Sequence, residues 1–123
     1  MIDLGSTFIS SVERDPSATA ITFKNKNISY HSWYKKISSL SFSLKKLGLK
    51  KGEKLMTLLP NNFEACTIHW ACQLTGIIIV PINWRVKSQE IIFFMKNSSS
   101  KCIIFDEYSE NEVKISNLHK DII

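Results

Sequence analysis

Leu55 to Leu59 reads LMTLL, Ile77 to Ile82 reads IIIVPI, and Cys102 to Phe105 reads CIIF. Each is a short, nearly continuous apolar run bounded by turn residues. Such runs suit strands buried on both faces of a parallel sheet better than strands of a two-sided hairpin sheet, where apolar and polar residues alternate. A helical pattern separates each pair. Pro60-Asn61-Asn62 stops the first run and can cap a helix over about 63–74, apolar nearly all round and so expected to be deeply buried, with Gly76 ending it. After the second run, Asn83-Trp84-Arg85 leads to a third helix that Ser88 can cap, with Ile91, Ile92 and Met95 facing inward.

Upstream, Trp33, Ile37, Leu40, Leu44 and Leu47 step by four, three, four and three, which keeps them on one helical face. Ser29 is placed to cap this helix and Gly48 to end it. Its many serines are weak helix formers, so packing must hold it. Before it, Ile21 and Phe23 alternate with polar residues, Asn25-Lys26-Asn27 makes a turn, and Ile28 and Tyr30 resume the alternation, the pattern of a β-hairpin. Phe8, Ile9 and Val12 share one face of a short helix ending before Pro16. The fold class is therefore α/β: an amino-terminal β-hairpin followed by alternating helices and parallel strands. The divisions expected are a leader over 1–19, a main body over 20–106 and a polar tail over 107–123. In the tail Val113, Ile115, Leu118 and Ile122 mark a loose helix.

The chain has 123 residues, 44% apolar and 22% charged, with a formal net charge of +5. That is ordinary globular composition. Lys35-Lys36 and Lys45-Lys46, with Lys50-Lys51 just beyond, carry the densest positive charge. They lack the interleaved aromatic or base-reading groups of a nucleic-acid surface, so no nucleic-acid partner is expected. Solvated lysine on a helix back face is preferred over a phosphate-binding surface. The three cysteines, Cys66, Cys72 and Cys102, sit among apolar neighbours without CxxC spacing, which favours buried, reduced thiols in the cytoplasm. The first twenty residues do not read as a signal peptide, and the longest apolar run is too short to span a bilayer, so no transmembrane segment is expected.

The chemistry-bearing residues give little. The four glycines are scattered at turns, so no loop clusters backbone N–H groups around a phosphate. Cys66 and His69 share a helical face, but a zinc site takes three or four ligands and no others stand near. Cys72 has no orienting base, and a thiol on an apolar helix keeps a high pKa. Asp106-Glu107 follow a strand's carboxyl end, where open α/β sheets place ligands. A loop cap is the preferred role for them.

Four passages in order resemble the amino-terminal region of the adenylate-forming superfamily, which includes acyl- and aryl-CoA synthetases: DPSATAITFKNKNISYHSWY, LKKLGLKKGEKLMTLLPNNFEA, QLTGIIIVPINWRV and SQEIIFFMKNSSSKCIIFDE. The Trp-Arg after Val-Pro-Ile-Asn is typical of the CoA-ligase branch. Ser32 replaces a glutamate of a capping box, Glu53 an aspartate, and Lys87 a threonine that usually caps the third helix. These departures touch helix starts and a turn. The resemblance implies an incomplete piece of a larger amino-terminal domain, truncated, split or cropped. Its family makes an acyl-adenylate from a carboxylic acid and ATP with Mg2+, then transfers the acyl group to CoA, as in fatty acid metabolism. The phosphate loop, the magnesium-holding segment, the ribose aspartate and the carboxy-terminal lysine are not among these residues. The chain alone is therefore expected to be inactive and to need no cofactor of its own, and no catalytic or metal-binding residue is assigned. The alternative is a non-catalytic domain that binds a partner, the separately encoded remainder of the enzyme. The resemblance also points to Arg85 as a residue for a CoA phosphate, since a guanidinium offers forked donors. Pairing with Glu90 or packing along Trp84 is preferred, because CoA docking also needs a hinge absent from these residues.

Overall fold

The computed structural model describes residues 3–118. His119 and Ile122 lie outside the described residues. The elements are α1 (Leu4–Arg14), β1 (Thr19–Phe23), β2 (Lys26–Ser29), α2 (Tyr30–Lys46), β3 (Lys54–Leu58), α3 (Phe63–Thr75), β4 (Ile78–Pro81), α4 (Ser88–Ser98), β5 (Cys102–Phe105) and α5 (Glu110–Ser116). β1 and β2 form an antiparallel hairpin; β4, β3 and β5 form a parallel sheet in that order. Leu55 is level with Ile79 on one side and Cys102 on the other.

The α/β reading of the sequence is what the chain forms. β3 lies centrally and Leu55, Met56, Thr57 and Leu58 are all buried. Its alternation feeds two cores. Leu55 points to the cluster built by Trp33, Ile37 and Leu44 of α2 and Ile68, Ala71 and Cys72 of α3. Met56 and Leu58 point to the opposite cluster, with Ile91 and Met95 of α4 and Val113 of α5. The chain steps from β3 to β4 and then back across β3 to β5. That reversal puts α3 and α4 on opposite faces of the sheet, as right-handed crossovers demand. Phe8 and Val12 of α1 are buried in the first cluster, where the Phe8 ring lies 4.8 Å from Trp70 and 5.6 Å from Trp33.

The caps fall largely where sequence puts them. Ser29 accepts the Ser32 N–H at 3.2 Å and Asn62 accepts the Ala65 N–H at 2.8 Å. Gly76 takes the left-handed conformation (φ 73°), and a Cβ there would meet the Lys51 side chain at 2.7 Å. Glu53 closes its turn by accepting the Lys50 N–H at 2.9 Å and pairing with Lys101 at 2.8 Å.

Several expectations are corrected. The hairpin turn is Lys24-Asn25, both at positive φ, with Phe23 paired to Lys26; a two-residue turn of that hand matches the strand twist. Tyr30 opens α2 instead of extending β2, because Ser29 has already begun the helix. β4 is an edge strand with Ile78 47% exposed, not a strand buried on both faces. α3 is buried along one face only, and Cys66 is exposed. Leu47 falls past the end of α2 and is exposed, while Leu49 takes the core position. Ile115 points outward from α5.

The start of α4 departs most. Its N-cap is Lys87, not Ser88. A lysine ammonium has no acceptor to offer, so the carboxylates supply the cap. Glu90 accepts the Lys87 N–H at 2.8 Å. Glu112, from α5, accepts the Ser88 N–H at 2.9 Å and pairs with the Lys87 Nζ at 3.3 Å.

Candidate functional site

Three loops leave the carboxyl ends of the parallel strands and meet at one edge. Leu59 to Asn62 follows β3, Ile82 to Val86 follows β4, and Asp106 to Ser109 follows β5. Open α/β sheets bind ligands at this edge, because the strand order reverses there and the loops diverge to leave a crevice. Between β3 and β4 the crevice encloses about 450 Å³, lined by Pro60, Asn61, Pro81, Asn83, Trp84 and Arg85. Between β3 and β5 it continues past Asn61 to Phe105, Asp106 and Tyr108.

Local bonds fix the middle loop. The Asn83 Oδ1 accepts the Arg85 N–H at 2.9 Å, an Asx turn that begins the bend. The Trp84 carbonyl accepts the Ser109 hydroxyl at 3.0 Å, and the Trp84 ring packs on Tyr108 at 5.4 Å. Asp106 turns its own loop by accepting the Tyr108 N–H at 3.1 Å, the cap expected of it. Arg85 is exposed, and its guanidinium lies 4.6 Å over the Trp84 ring. The ring quadrupole holds the cation there, which is the packing along Trp84 preferred for Arg85 from sequence.

Two other residues singled out from sequence, Cys66 and His69, adjoin this edge, since their hollow shares Leu59, Asn61, Pro81 and Ile82 with the Arg85 crevice. Cys66 and His69 border an apolar hollow of about 500 Å³, with Phe23, Phe63, Trp70 and Ile79 among its walls. The His69 ring meets Trp70 edge-on at 5.3 Å. Among the described residues no group of three or more His, Cys, Asp or Glu could hold a metal ion. Cys72 is fully buried, and burial pushes its thiol up to about 12. Burial raises Cys102 as well. Neither thiol is a nucleophile at neutral pH. Tyr108 was missed by sequence reasoning; only its nearness to Trp84 marks it, and that contact joins loops 24 residues apart.

An open parallel sheet with a polar, arginine-bearing crevice at its carboxyl edge defines the class: an α/β fold with a switch of strand order. The chain belongs to the AMP-binding enzyme family, whose model matches residues 8–122. It is 26% identical over 92 residues to a 2-succinylbenzoate–CoA ligase of Bacillus cereus, covering 75% of this chain and 19% of that protein. A 2-succinylbenzoate–CoA ligase of Bacillus cytotoxicus is 29% identical over 97 residues, 79% of this chain and 20% of that protein. The chain thus spans about a fifth of the length of the curated relatives it matches. The fold is similar to that of the N-terminal domain of FACL13 from Mycobacterium tuberculosis, with a TM-score of 0.88, 24% identity, and coverage of 94% of this chain and 30% of that one. It is also similar to coronafacic acid ligase from Pectobacterium brasiliense, with a TM-score of 0.84, 24% identity, and coverage of 95% and 24%. The resemblance to the adenylate-forming superfamily and its CoA-ligase branch stands.

Proposed function

We propose that this chain forms the amino-terminal part of an ATP-dependent carboxylic acid–CoA ligase, which makes an acyl-adenylate and then an acyl-CoA. The observation that carries this reading is the family match over residues 8–122, joined to CoA ligases among the relatives. Within that enzyme Arg85 contacts a phosphate of CoA. Support comes from its exposure and its place in the lining of the crevice at the carboxyl edge of the sheet. These 123 residues do not complete the reaction by themselves, since carboxylate activation needs convergent positive charge and backbone donors around a triphosphate. Cysteines set among apolar neighbours without CxxC spacing support a reducing compartment, the cytoplasm.

Two measurements test this. Incubated with ATP, Mg2+, CoA and a panel of carboxylic acids, the chain alone releases no AMP; steady turnover would refute its incapacity. In an enzyme carrying the chain as its amino-terminal region, R85A raises KM for CoA on the order of tenfold and leaves pyrophosphate exchange unchanged. An equal loss in both half-reactions would remove Arg85 from the CoA site.

A second reading has its own observation. The apolar hollow beside α3, with the exposed edge strand β4 next to it, suits a surface that further polypeptide covers. The partner is the remaining part of the enzyme. A compact monomer that leaves a hydrophobic dye unbound would count against it.

A further inference from the structure

The outward face of α2 is built differently from an ordinary solvated helix face. Its sequence, YHSWYKKISSLSFSLKK, has four lysines and no acidic residue. Ile37 and Leu44 are buried at 0% and 1% exposure, which fixes the opposite side as the outer one. Phe42 lies at the centre of that outer side, 69% exposed. At 100° per residue Lys35 and Lys46 fall about 20° and 40° to one side of Phe42, Lys45 about 60° to the other, and Lys36 about 120° round. Lys35 to Lys46 spans about 17 Å along the axis. None of the four ammonium groups forms an ion pair among the described residues. What sets Phe42 apart from the other exposed apolar side chains is the lysine frame around it, which without any acid on the helix repels cations and attracts anions. Ring and lysines together suit an anionic apolar boundary, which an aromatic ring can enter while ammonium groups meet anions around it.

We propose that the outer face of α2 docks on an anionic lipid surface, with Phe42 inserted at the headgroup boundary and Lys35, Lys36, Lys45 and Lys46 on the lipid phosphates. The lysine stems carry their charge to the headgroup plane while their methylenes follow the ring inward. The face is separate from the crevice at Arg85, so docking leaves that edge open.

The test is cosedimentation of the full chain with vesicles of phosphatidylcholine alone and of phosphatidylcholine mixed equally with phosphatidylglycerol. Binding to the mixed vesicles, weakened by salt and absent from the neutral ones, is the expected result. K35Q and K46Q each lower the partition coefficient about fivefold, and F42S lowers it roughly tenfold. These residues are exposed, so the variants keep the parent's circular dichroism. A dye on F42C, in a C66S background that removes the exposed Cys66, shifts to the blue with mixed vesicles. The proposal is overturned if mixed vesicles do not bind the chain, or if F42S binds them as the parent does. It is equally overturned if heparin binds as strongly with F42S as with the parent and the dye does not shift; the face is then a general polyanion surface.

Discussion

Glu112 of α5 accepts the backbone N–H of Ser88, the first residue of α4, at 2.9 Å. A helix start normally finds its cap in the residue just before it. Here that residue is a lysine, and the acceptor arrives from an element 24 positions on. The same carboxylate pairs with the Lys87 Nζ. One side chain therefore closes the helix and ties α5 over the second core, where Val113 is buried.

The bond makes stability depend on acid. The Ser88 N–H, followed by the Lys87 ammonium, holds the Glu112 carboxyl below its ordinary value of 4.5. A carboxyl depressed by folding contributes stability above its unfolded pKa and loses it as pH falls through the folded one. Thermal melts should thus show a loss below about pH 4.5 that is shallower in E112Q. E112A should be less stable at neutral pH than E112Q, which keeps an oxygen for Ser88. Equal melting of E112A and parent would show that α5 docks without the bond.

Trp33 and Thr67 support a second prediction. The Trp33 indole N–H donates to the Thr67 hydroxyl at 3.0 Å, and that hydroxyl donates to the Phe63 carbonyl at 2.7 Å. T67V keeps the volume and strands the buried indole N–H, at a cost of about 1–3 kcal/mol. T67S should recover most of that. Denaturant unfolding followed by tryptophan emission measures both.

How much of this was legible follows the range of each interaction. LMTLL and CIIF showed as strands because β3 and β5 bury neighbouring residues in two cores, which leaves no polar alternation. IIIVPI has the same composition yet forms the edge strand, since strand order is set by crossovers and has no local trace. Ser29, Asn62 and Gly76 act within three residues and could be read directly. The cap on Ser88 could not, because Glu112 is distant in sequence. Arg85 came from resemblance alone. Its packing on Trp84 is local and was the reading preferred over a CoA contact, whereas the Trp84–Tyr108 contact that steadies the loop is long-range.

Ile37 and Leu44 carry the third prediction. Both are fully buried in the cluster that α2 shares with α3. I37A and L44A should each cost about 2–5 kcal/mol, the lost transfer energy plus that of an unfilled cavity. Leu47, read from sequence as part of the same stripe, is 46% exposed, so L47A should change stability by less than about 0.5 kcal/mol. Urea unfolding of the three variants checks the assignment of the face.

The thiols give the last prediction. Cys66 is exposed, whereas Cys72 and Cys102 are buried. In the native chain a thiol reagent should titrate one cysteine quickly and the other two only on unfolding. C66S should abolish the fast phase. Cys72 adds an alkaline signature. Its thiol rises from 9.0 unfolded to about 12 folded. Between those values the unfolded chain releases a proton that the folded one keeps, so stability is intact below pH 9 and declines as pH climbs toward 12. The decline attributable to this group approaches about 1.4 kcal/mol per pH unit. Lysines and tyrosines titrate in the same range, so the slope must be compared between parent and C72A. A flatter slope in C72A assigns the effect to Cys72. Identical slopes would mean that the buried thiol ionises as readily in the fold as out of it.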